Sequence, residues 1–378
     1  MTAFTDLHEQ LAAAGSTGTA DDRAREAGAI AFRVDGESWT YEPTTDGRVA
    51  VRLGERDAST VVELTAADWH DFQTEWRTVY GLLFSGIGSF PVGRGDALES
   101  WEPALRSVWQ GRPIYDPDQA RKDMAGFDLR RVFTMDSSHD ELRAHLDAVG
   151  FARVRGVFSA DEVASLSEAV ERQRAAASNG DGRSWWAVDV GGRQVCCRLI
   201  YATRDDDSMG WLRDDARMAR LSALAAPDLV MIEDRLDGVS VVIKNPDVVQ
   251  GLSDLPWHRD CGLGGHPVLC PELNIGIQLD AASAATGQLH MLAGSHVGTA
   301  HMPRADELDD LPIIAIDTEP GDVTLHYGHA FHAAPAPTGH GPMRRAMYWM
   351  YTPHAALELF PAGQGYNDVI REGVGSPS

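Results

Sequence analysis

The first third of the chain alternates apolar and polar residues as β-strands do, and then changes to a helical spacing. Strands are predicted at Ile30 to Tyr41, with a turn at Asp35-Gly36, and at Val49 to Leu53 and Thr60 to Leu64. From Trp69 to Leu82 the apolar residues recur every three or four positions, which predicts one amphipathic helix. Another helix is predicted near Leu98 to Val108. The pattern indicates a small sheet covered by helices.

Short strands dominate the second part of the chain. Helices are predicted at Asp140 to Val149 and Val163 to Ala177, the second preceded by a capping box at Ser159 to Glu162. A strand begins at Phe151, and later strands are predicted at Gln194 to Tyr201, Gly238 to Lys244, Asn274 to Leu279, Ile313 to Ile316, Asp322 to Tyr327 and Met343 to Tyr351. Many short strands separated by turns indicate a double-sheet jelly roll or a barrel.

The pattern therefore predicts a mainly β (α+β) protein with two domains. Pro113 to Pro117 and the polar stretch after it are typical of a linker. We expect a small α+β domain over residues 1–125 and a jelly-roll domain over 126–378. The order of strands and helices in the first domain resembles the sterol-carrier-protein fold over roughly 80 residues. A packing or oligomerisation domain without a ligand is the alternative.

Composition excludes several classes of partner. The formal charge of −23, from 33 basic and 56 acidic residues, opposes binding to nucleic acid or to anionic lipid. The chain has no apolar run near the roughly 20 residues that span a bilayer, and its start lacks the features of a secretory signal. We expect a cytoplasmic protein, with homo-oligomers possible. Four cysteines, among them Cys196-Cys197, form no zinc or disulfide pattern, so they are interpreted as reduced thiols.

An H-x-D pair is the first candidate for chemistry. His258 and Asp260 lie at a predicted strand end, where side chains two residues apart point to the same side. His332 is the candidate third ligand; His326 and His329 precede it, and we prefer His332 to His329. Two histidines and a carboxylate that leave open positions favour ferrous iron, although catalytic zinc also accepts three protein ligands.

The motifs around this pair occur in the order of a known family. The chain resembles the phytanoyl-CoA dioxygenase family of iron and 2-oxoglutarate oxygenases over roughly residues 140 to 353. The matching blocks are Gly150 to Ser159, His258-Arg259-Asp260, Leu279-Asp280, Thr286 to Leu289, Ala293 to His296, Pro320-Gly321-Asp322 with His332 ten residues later, and Arg344-Arg345-Ala346.

This resemblance implies an enzyme that uses Fe(II), 2-oxoglutarate and O2. Such an enzyme releases succinate and CO2 while it oxidises, most often by hydroxylation, an unactivated C–H of a small molecule. The resemblance implies that Arg344 rather than Arg345 binds the distal carboxylate of 2-oxoglutarate, for which a guanidinium is a planar match. Lys244 is a further candidate for cosubstrate binding. Because halogenases of the superfamily lack the ligand carboxylate, Asp260 favours hydroxylation.

Two positions depart from the family's pattern. Ala334 stands where many relatives carry a hydroxyl residue that helps to hold the cosubstrate carboxylate. Gly276 stands where many carry Trp, which predicts extra room beside the metal and, with Trp257, a candidate substrate pocket. Together with the first domain, this suggests a lipid-like or natural-product substrate.

Two other functions fit part of the pattern. A jelly roll that binds zinc for hydrolysis, or holds a structural metal, would explain the three ligands but not Arg344. A non-catalytic protein that binds lipid in its first domain is the other alternative, but it would not explain the three candidate metal ligands.

Overall fold

The computed structural model describes residues 2–204, 206–250, 255–261, 272–338 and 341–357. It divides into two compact units. The first comprises Met1–Asp116, Cys261–Leu269 and Val297–His301, and the second comprises Pro117–Asp260, Cys270–His296 and Met302–Ser378.

The first unit combines one mixed sheet with helices. Its helices are α1 (Ala3–Ala14), α2 (Asp22–Ala27), α3 (Ala66–Gln73), α4 (Val79–Phe84) and α5 (Gly95–Gln110). Its strands are β1 (Ser16–Thr17), β2 (Ile30–Val34), β3 (Glu37–Pro43), β4 (Val49–Leu53), β5 (Thr60–Leu64) and β6 (Ser89–Val92). The strand order is β1-β4-β3-β2-β5-β6, with β2 and β5 parallel and the other pairs antiparallel. The predicted strands are confirmed.

The prediction of one helix from Trp69 to Leu82 is wrong. The chain leaves α3 at Thr74, whose hydroxyl donates to the His70 carbonyl, and Glu75 adopts a left-handed backbone with φ of 70°. Thr78 then caps α4 by accepting the N–H of Gly81 at 3.1 Å. Apolar spacing continues across this break, so periodicity alone did not reveal it.

Aromatic rings fill the core of the first unit around one histidine. The His8 ring lies 4.2 Å from that of Phe4 and 5.2 Å from that of Trp69, and it hydrogen-bonds the Tyr41 hydroxyl at 2.9 Å. Trp109 donates to the same hydroxyl. Burial lowers the pKa of His8 to about 4, so the ring is neutral.

The resemblance of the first unit to sterol-carrier proteins stays a prediction.

The second unit consists of two sheets flanked by helices. Its helices are α6 (Pro117–Asp123), α7 (His139–Val149), α8 (Ala160–Ala176), α9 (Ala216–Ser222) and α10 (His354–Leu357), with short 3-10 helices at Asp207–Asp214, Ala284–Thr286 and Leu308–Asp310. Its strands are β7 (Val132–Phe133), β8 (Phe151–Val154), β9 (Ser184–Asp189), β10 (Gln194–Leu199), β11 (Leu229–Met231), β12 (Ser240–Lys244), β13 (Val248–Gln250), β14 (Leu255–His258), β15 (Leu273–Gln278), β16 (Leu289–Leu292), β17 (Ile313–Ile316), β18 (Val323–Tyr327), β19 (His332–Ala334) and β20 (Arg344–Pro353).

The larger sheet has the order β13-β9-β10-β12-β20-β15-β18-β8-β7, with β11 paired to β20, and the smaller has the order β14-β19-β16-β17. The predicted jelly roll with flanking helices is confirmed. The capping box before α8 is also present, because Ser159 and the Glu162 carboxylate each accept the other's backbone N–H. Among the described residues, no helix combines the length and the apolar character that a membrane crossing requires.

Candidate metal centre and active site

Strand pairing brings the three candidate ligands together. His258 ends β14, His332 begins β19, and the two are cross-strand partners. Asp260 follows β14 by two residues, and its backbone N–H donates to the Gly328 carbonyl at 2.7 Å. Ligand atoms of the three side chains all lie within 4.8 Å of one another.

The two imidazoles are oriented for a metal ion. The Nδ1 atom of His258 bonds to the Pro256 carbonyl at 2.7 Å, and Nδ1 of His332 bonds to the Ala330 carbonyl at 3.0 Å. Each Nε2 atom is then left to face Asp260, at 3.6 Å for His258 and 3.5 Å for His332. Backbone carbonyls that accept from Nδ1 fix the tautomer in which Nε2 is a metal ligand.

The protonation states of His258, Asp260 and His332 also allow these side chains to bind a metal ion. Burial lowers the pKa of His258 to about 4, with His332 acting in the same direction, and burial likewise lowers the pKa of His332. Burial alone would raise the pKa of Asp260, but His332, His326 and His258 hold it well below its ordinary value. Two neutral imidazoles and one carboxylate are the forms that coordinate a divalent ion.

Two side chains that sequence reasoning gave no role contact the Asp260 carboxylate. Asn274, on β15, donates its amide N–H to Oδ2 at 2.6 Å. His326, on β18, places Nε2 3.4 Å from the same oxygen, and its ring centroid lies 4.6 Å from that of His332. A buried Asn between the apolar residues Leu273 and Ile275 of β15 was the available signal. His329 lies apart from the triad, with its ring 5.6 Å from Tyr327 and 6.2 Å from His296.

Two buried cations lie side by side on the larger sheet. Lys244 of β12 and Arg344 of β20 are cross-strand partners and expose 1% and 2% of their surface. Arg344 donates to the Gly287 carbonyl, and its Nε has no hydrogen-bond partner among the described residues. Lys244 donates from Nζ to the Ala334 carbonyl. A buried guanidinium without a carboxylate is costly, so this position favours binding of an anion.

The neighbouring arginine has a different environment. Arg345 donates from Nε to Asp280 at 2.7 Å and from Nη1 to Glu171 at 3.0 Å. These ion pairs connect β20 with α8 and with the end of β15, so Arg345 stabilises the fold. Adjacent strand residues point to opposite faces, so Arg344 points to the interior face.

Comparison with known proteins identifies the family. Residues 146–346, slightly more than half of the chain, match the family described as Phytanoyl-CoA dioxygenase (PhyH). The chain belongs to this family. No curated protein matches it.

The chain is also similar to solved structures. AviO1 from Streptomyces viridochromogenes Tue57 is 24% identical, with 60% of this chain and 98% of that chain covered and a TM-score of 0.48. The non-haem α-ketoglutarate-dependent epimerase SnoN from nogalamycin biosynthesis is 23% identical, with 57% and 82% covered and a TM-score of 0.44. EctD from S. alaskensis with bound Fe is 19% identical, with 68% and 86% covered and a TM-score of 0.49.

Membership establishes iron and 2-oxoglutarate oxygenase chemistry, with O2 as oxidant and a small-molecule substrate. The donor set of two imidazole Nε2 atoms and one carboxylate fits the ferrous iron of such enzymes. The predicted cofactors are therefore confirmed.

The departures from the family's pattern have structural explanations. A Cβ atom on Gly276 would lie 2.5 Å from Thr324 Oγ1 and 2.9 Å from Tyr348 Cε1. The prediction of extra room beside the metal at Gly276 is therefore wrong, because neighbouring side chains occupy that space. Ala334 has no side-chain hydroxyl, and its backbone carbonyl accepts a hydrogen bond from the Lys244 ammonium. Trp257 is half-buried on β14, directly before His258.

Proposed function

We propose that His258, Asp260 and His332 hold Fe(II), and that the chain hydroxylates an unactivated C–H of a small natural-product or lipid-like substrate. The observation that carries this proposal is the convergence of the three ligand atoms within 4.8 Å, with both histidine Nδ1 atoms bonded to backbone carbonyls. When bound, the iron activates O2 at the expense of 2-oxoglutarate, which becomes succinate and CO2.

The cosubstrate site is proposed at Arg344, with Lys244 beside it. The distal carboxylate of 2-oxoglutarate supplies a negatively charged partner for the buried Arg344 guanidinium, which among the described residues donates to the Gly287 carbonyl and leaves Nε unpartnered. Lys244 adds a second positive charge from the adjacent strand and takes the place of the hydroxyl that is absent at Ala334. This arrangement supports a carboxylate cosubstrate over a hydrolytic zinc site, because zinc hydrolysis does not require a buried pair of cations.

The remaining residues position the ligands. Asn274 and His326 orient the Asp260 carboxylate, and Trp257 is proposed to border the substrate pocket. Asp260 itself favours hydroxylation over halogenation. The first unit is proposed to favour a lipid-like substrate, a proposal that would fail if only small polar amino acids were oxidised.

Anaerobic titration with Fe(II) and 2-oxoglutarate tests the proposal. The iron–oxoglutarate chelate has a weak visible charge-transfer band, which we expect in the wild-type protein. His332→Ala removes a ligand and should abolish the band. A wild-type protein that binds zinc tightly but shows no band with Fe(II) and 2-oxoglutarate would instead support the metallohydrolase or structural alternative.

A further inference from the structure

A second polar cluster lies on the face of the larger sheet that carries the metal-site residues. Arg198 of β10 is the cross-strand partner of Trp185 on β9 and of Val242 on β12. Directly paired side chains share a face, and so do residues two apart on one strand. Arg198 and Trp185 therefore lie on the same face as Lys244.

The cluster is built around a buried ion pair. Asp237, in the turn before β12, exposes 1% of its surface, and its Oδ2 atom lies 2.6 Å from Arg198 Nη2. The Arg198 guanidinium lies 5.1 Å from the centroid of the Trp185 ring. Tyr201 fixes the turn, donating its backbone N–H to the Asp237 carbonyl and its hydroxyl to the Leu236 carbonyl.

Four polar atoms of this cluster have no hydrogen-bond partner among the described residues. They are both carboxylate oxygens of Asp237, of which Oδ2 is ion-paired with Arg198, and two donors, Nε of Arg198 and Nε1 of Trp185. Buried polar atoms are nearly always hydrogen-bonded in the functional state of a protein. The Arg198 side chain keeps 20% of its surface exposed, whereas the unpartnered atoms themselves are buried.

The cluster lies on the same face of the larger sheet as a residue that contacts a candidate metal ligand. Val242, the partner of Arg198, also pairs with Ala346, and Ala346 pairs with Gln278. Gln278 and Asn274 are four residues apart on β15, so they share this face, and Asn274 donates to Asp260. Burial raises the pKa of Asp237, and Arg198 opposes this.

We infer that Asp237, Arg198 and Trp185 form the subsite that recognises a neutral hydroxyl group of the substrate. A hydroxyl donates to Asp237 Oδ1 and accepts from Arg198 Nε–H or Trp185 Nε1–H, so it satisfies both kinds of free atom at once. The negative charge of Asp237 would repel a carboxylate, and the positive charge of Arg198 would repel an ammonium. The inference rests on the proposed function, since it assigns the substrate class of that site: neutral compounds that carry a hydroxyl group.

Three probes that share one apolar body test the subsite: 4-tert-butylcyclohexanol, the matching cyclohexanecarboxylate and the matching cyclohexylamine. Saturation-transfer NMR on the full chain, which needs no metal, measures their binding. We expect the alcohol to bind about tenfold more tightly than the acid and the amine, since a hydrogen bond to a buried charged group is at stake.

Asp237→Asn should invert this order. The amide oxygen would face Arg198 and the amide N–H would face the probe, so the acid should bind more tightly than the alcohol. Asp280→Asn is the matched control, because Asp280 pairs with Arg345 on the opposite face of β20, and it should leave the order unchanged. Trp185→Phe, which keeps the ring and removes one donor, should weaken alcohol binding if Asp237→Asn does not fold.

A wild-type protein without preference for the alcohol, including one that binds no probe, overturns the inference. So does an unchanged order in Asp237→Asn. The iron–oxoglutarate band is recorded on the same proteins. A wild-type band without alcohol preference overturns only the subsite, whereas a missing band overturns the proposed function and leaves the probe order interpretable.

Discussion

His258 and His332 are directly opposite each other on antiparallel strands, and their ring centroids lie 4.2 Å apart. The two residues are 74 positions apart in the sequence, from 258 to 332. The pairing of β14 with β19 closes this distance, so the metal centre depends on the smaller sheet being formed.

Loss of the amide at Asn274 should weaken metal binding. Asn274 donates to Asp260 Oδ2 at 2.6 Å, and removal of a residue that orients a metal ligand typically costs about 10–100-fold in affinity. We expect this loss of Fe(II) affinity in Asn274→Ala, measured by competition with a chelating indicator. Gln278→Ala is the control, because Gln278 is a buried amide on the same strand that bonds to Gly276 and Thr324 instead. Equal losses in both variants would contradict a specific role.

Substitution of Arg344 should weaken cosubstrate binding, whereas substitution of Arg345 should lower the stability of the fold. We expect Arg344→Ala to raise the half-saturating 2-oxoglutarate concentration by about 10–100-fold, because a charge-assisted contact to the distal carboxylate is lost. Arg345→Ala breaks the ion pairs to Asp280 and Glu171, so it should lower the unfolding temperature and leave this concentration nearly unchanged. Succinate formation and thermal unfolding measure the two effects. The reverse assignment would follow if Arg345→Ala alone changed the 2-oxoglutarate requirement.

A methyl group at Gly276 should not fit. Its carbon would lie 2.5 Å from Thr324 Oγ1 and 2.9 Å from Tyr348 Cε1, so Gly276→Ala should destabilise the protein by about 1–3 kcal/mol through overpacking. Gly126→Ala is the matched control, since nothing lies within 4 Å of its added carbon. Chemical denaturation measures both free energies of unfolding. An unchanged stability in Gly276→Ala would show that the space is open after all.

His8 should make stability depend on pH. Its pKa is about 4 in the folded protein and 6.5 ordinarily, so between these values only the unfolded chain binds the proton. Stability from this residue is complete above pH 6.5 and falls by about 3 kcal/mol in total as the pH drops to 4. His8→Gln should flatten this slope relative to wild type in denaturation measured from pH 7.5 to 4.5.

The exposed His70 provides the control for His8, and His70→Gln should keep the wild-type slope. Other buried histidines, among them His145 with a pKa lowered to about 4 by burial, contribute with the same sign in every variant. Only the difference between His8→Gln and wild type therefore reports on His8. A His8→Gln slope equal to that of wild type would contradict the assignment.

Much of the fold could be predicted because its signals are local. Strand alternation located β4 and β5 at their observed bounds, and the capping box located the start of α8. The break between α3 and α4 was missed, because a left-handed residue such as Glu75 leaves no trace in apolar spacing. Strands β9, β16 and β19 were also missed, since these short segments acquire strand geometry by pairing with neighbours.

By itself, the sequence determined the family, its cofactors and the three candidate ligands, because ligand identity and motif order are properties of the chain. Tertiary structure alone decided which side chains surround those ligands. Asn274 reaches Asp260, Arg345 pairs with Asp280, and Tyr348 fills the space over Gly276. These contacts join residues far apart in sequence, and sheet register, which no local pattern encodes, sets which of them meet.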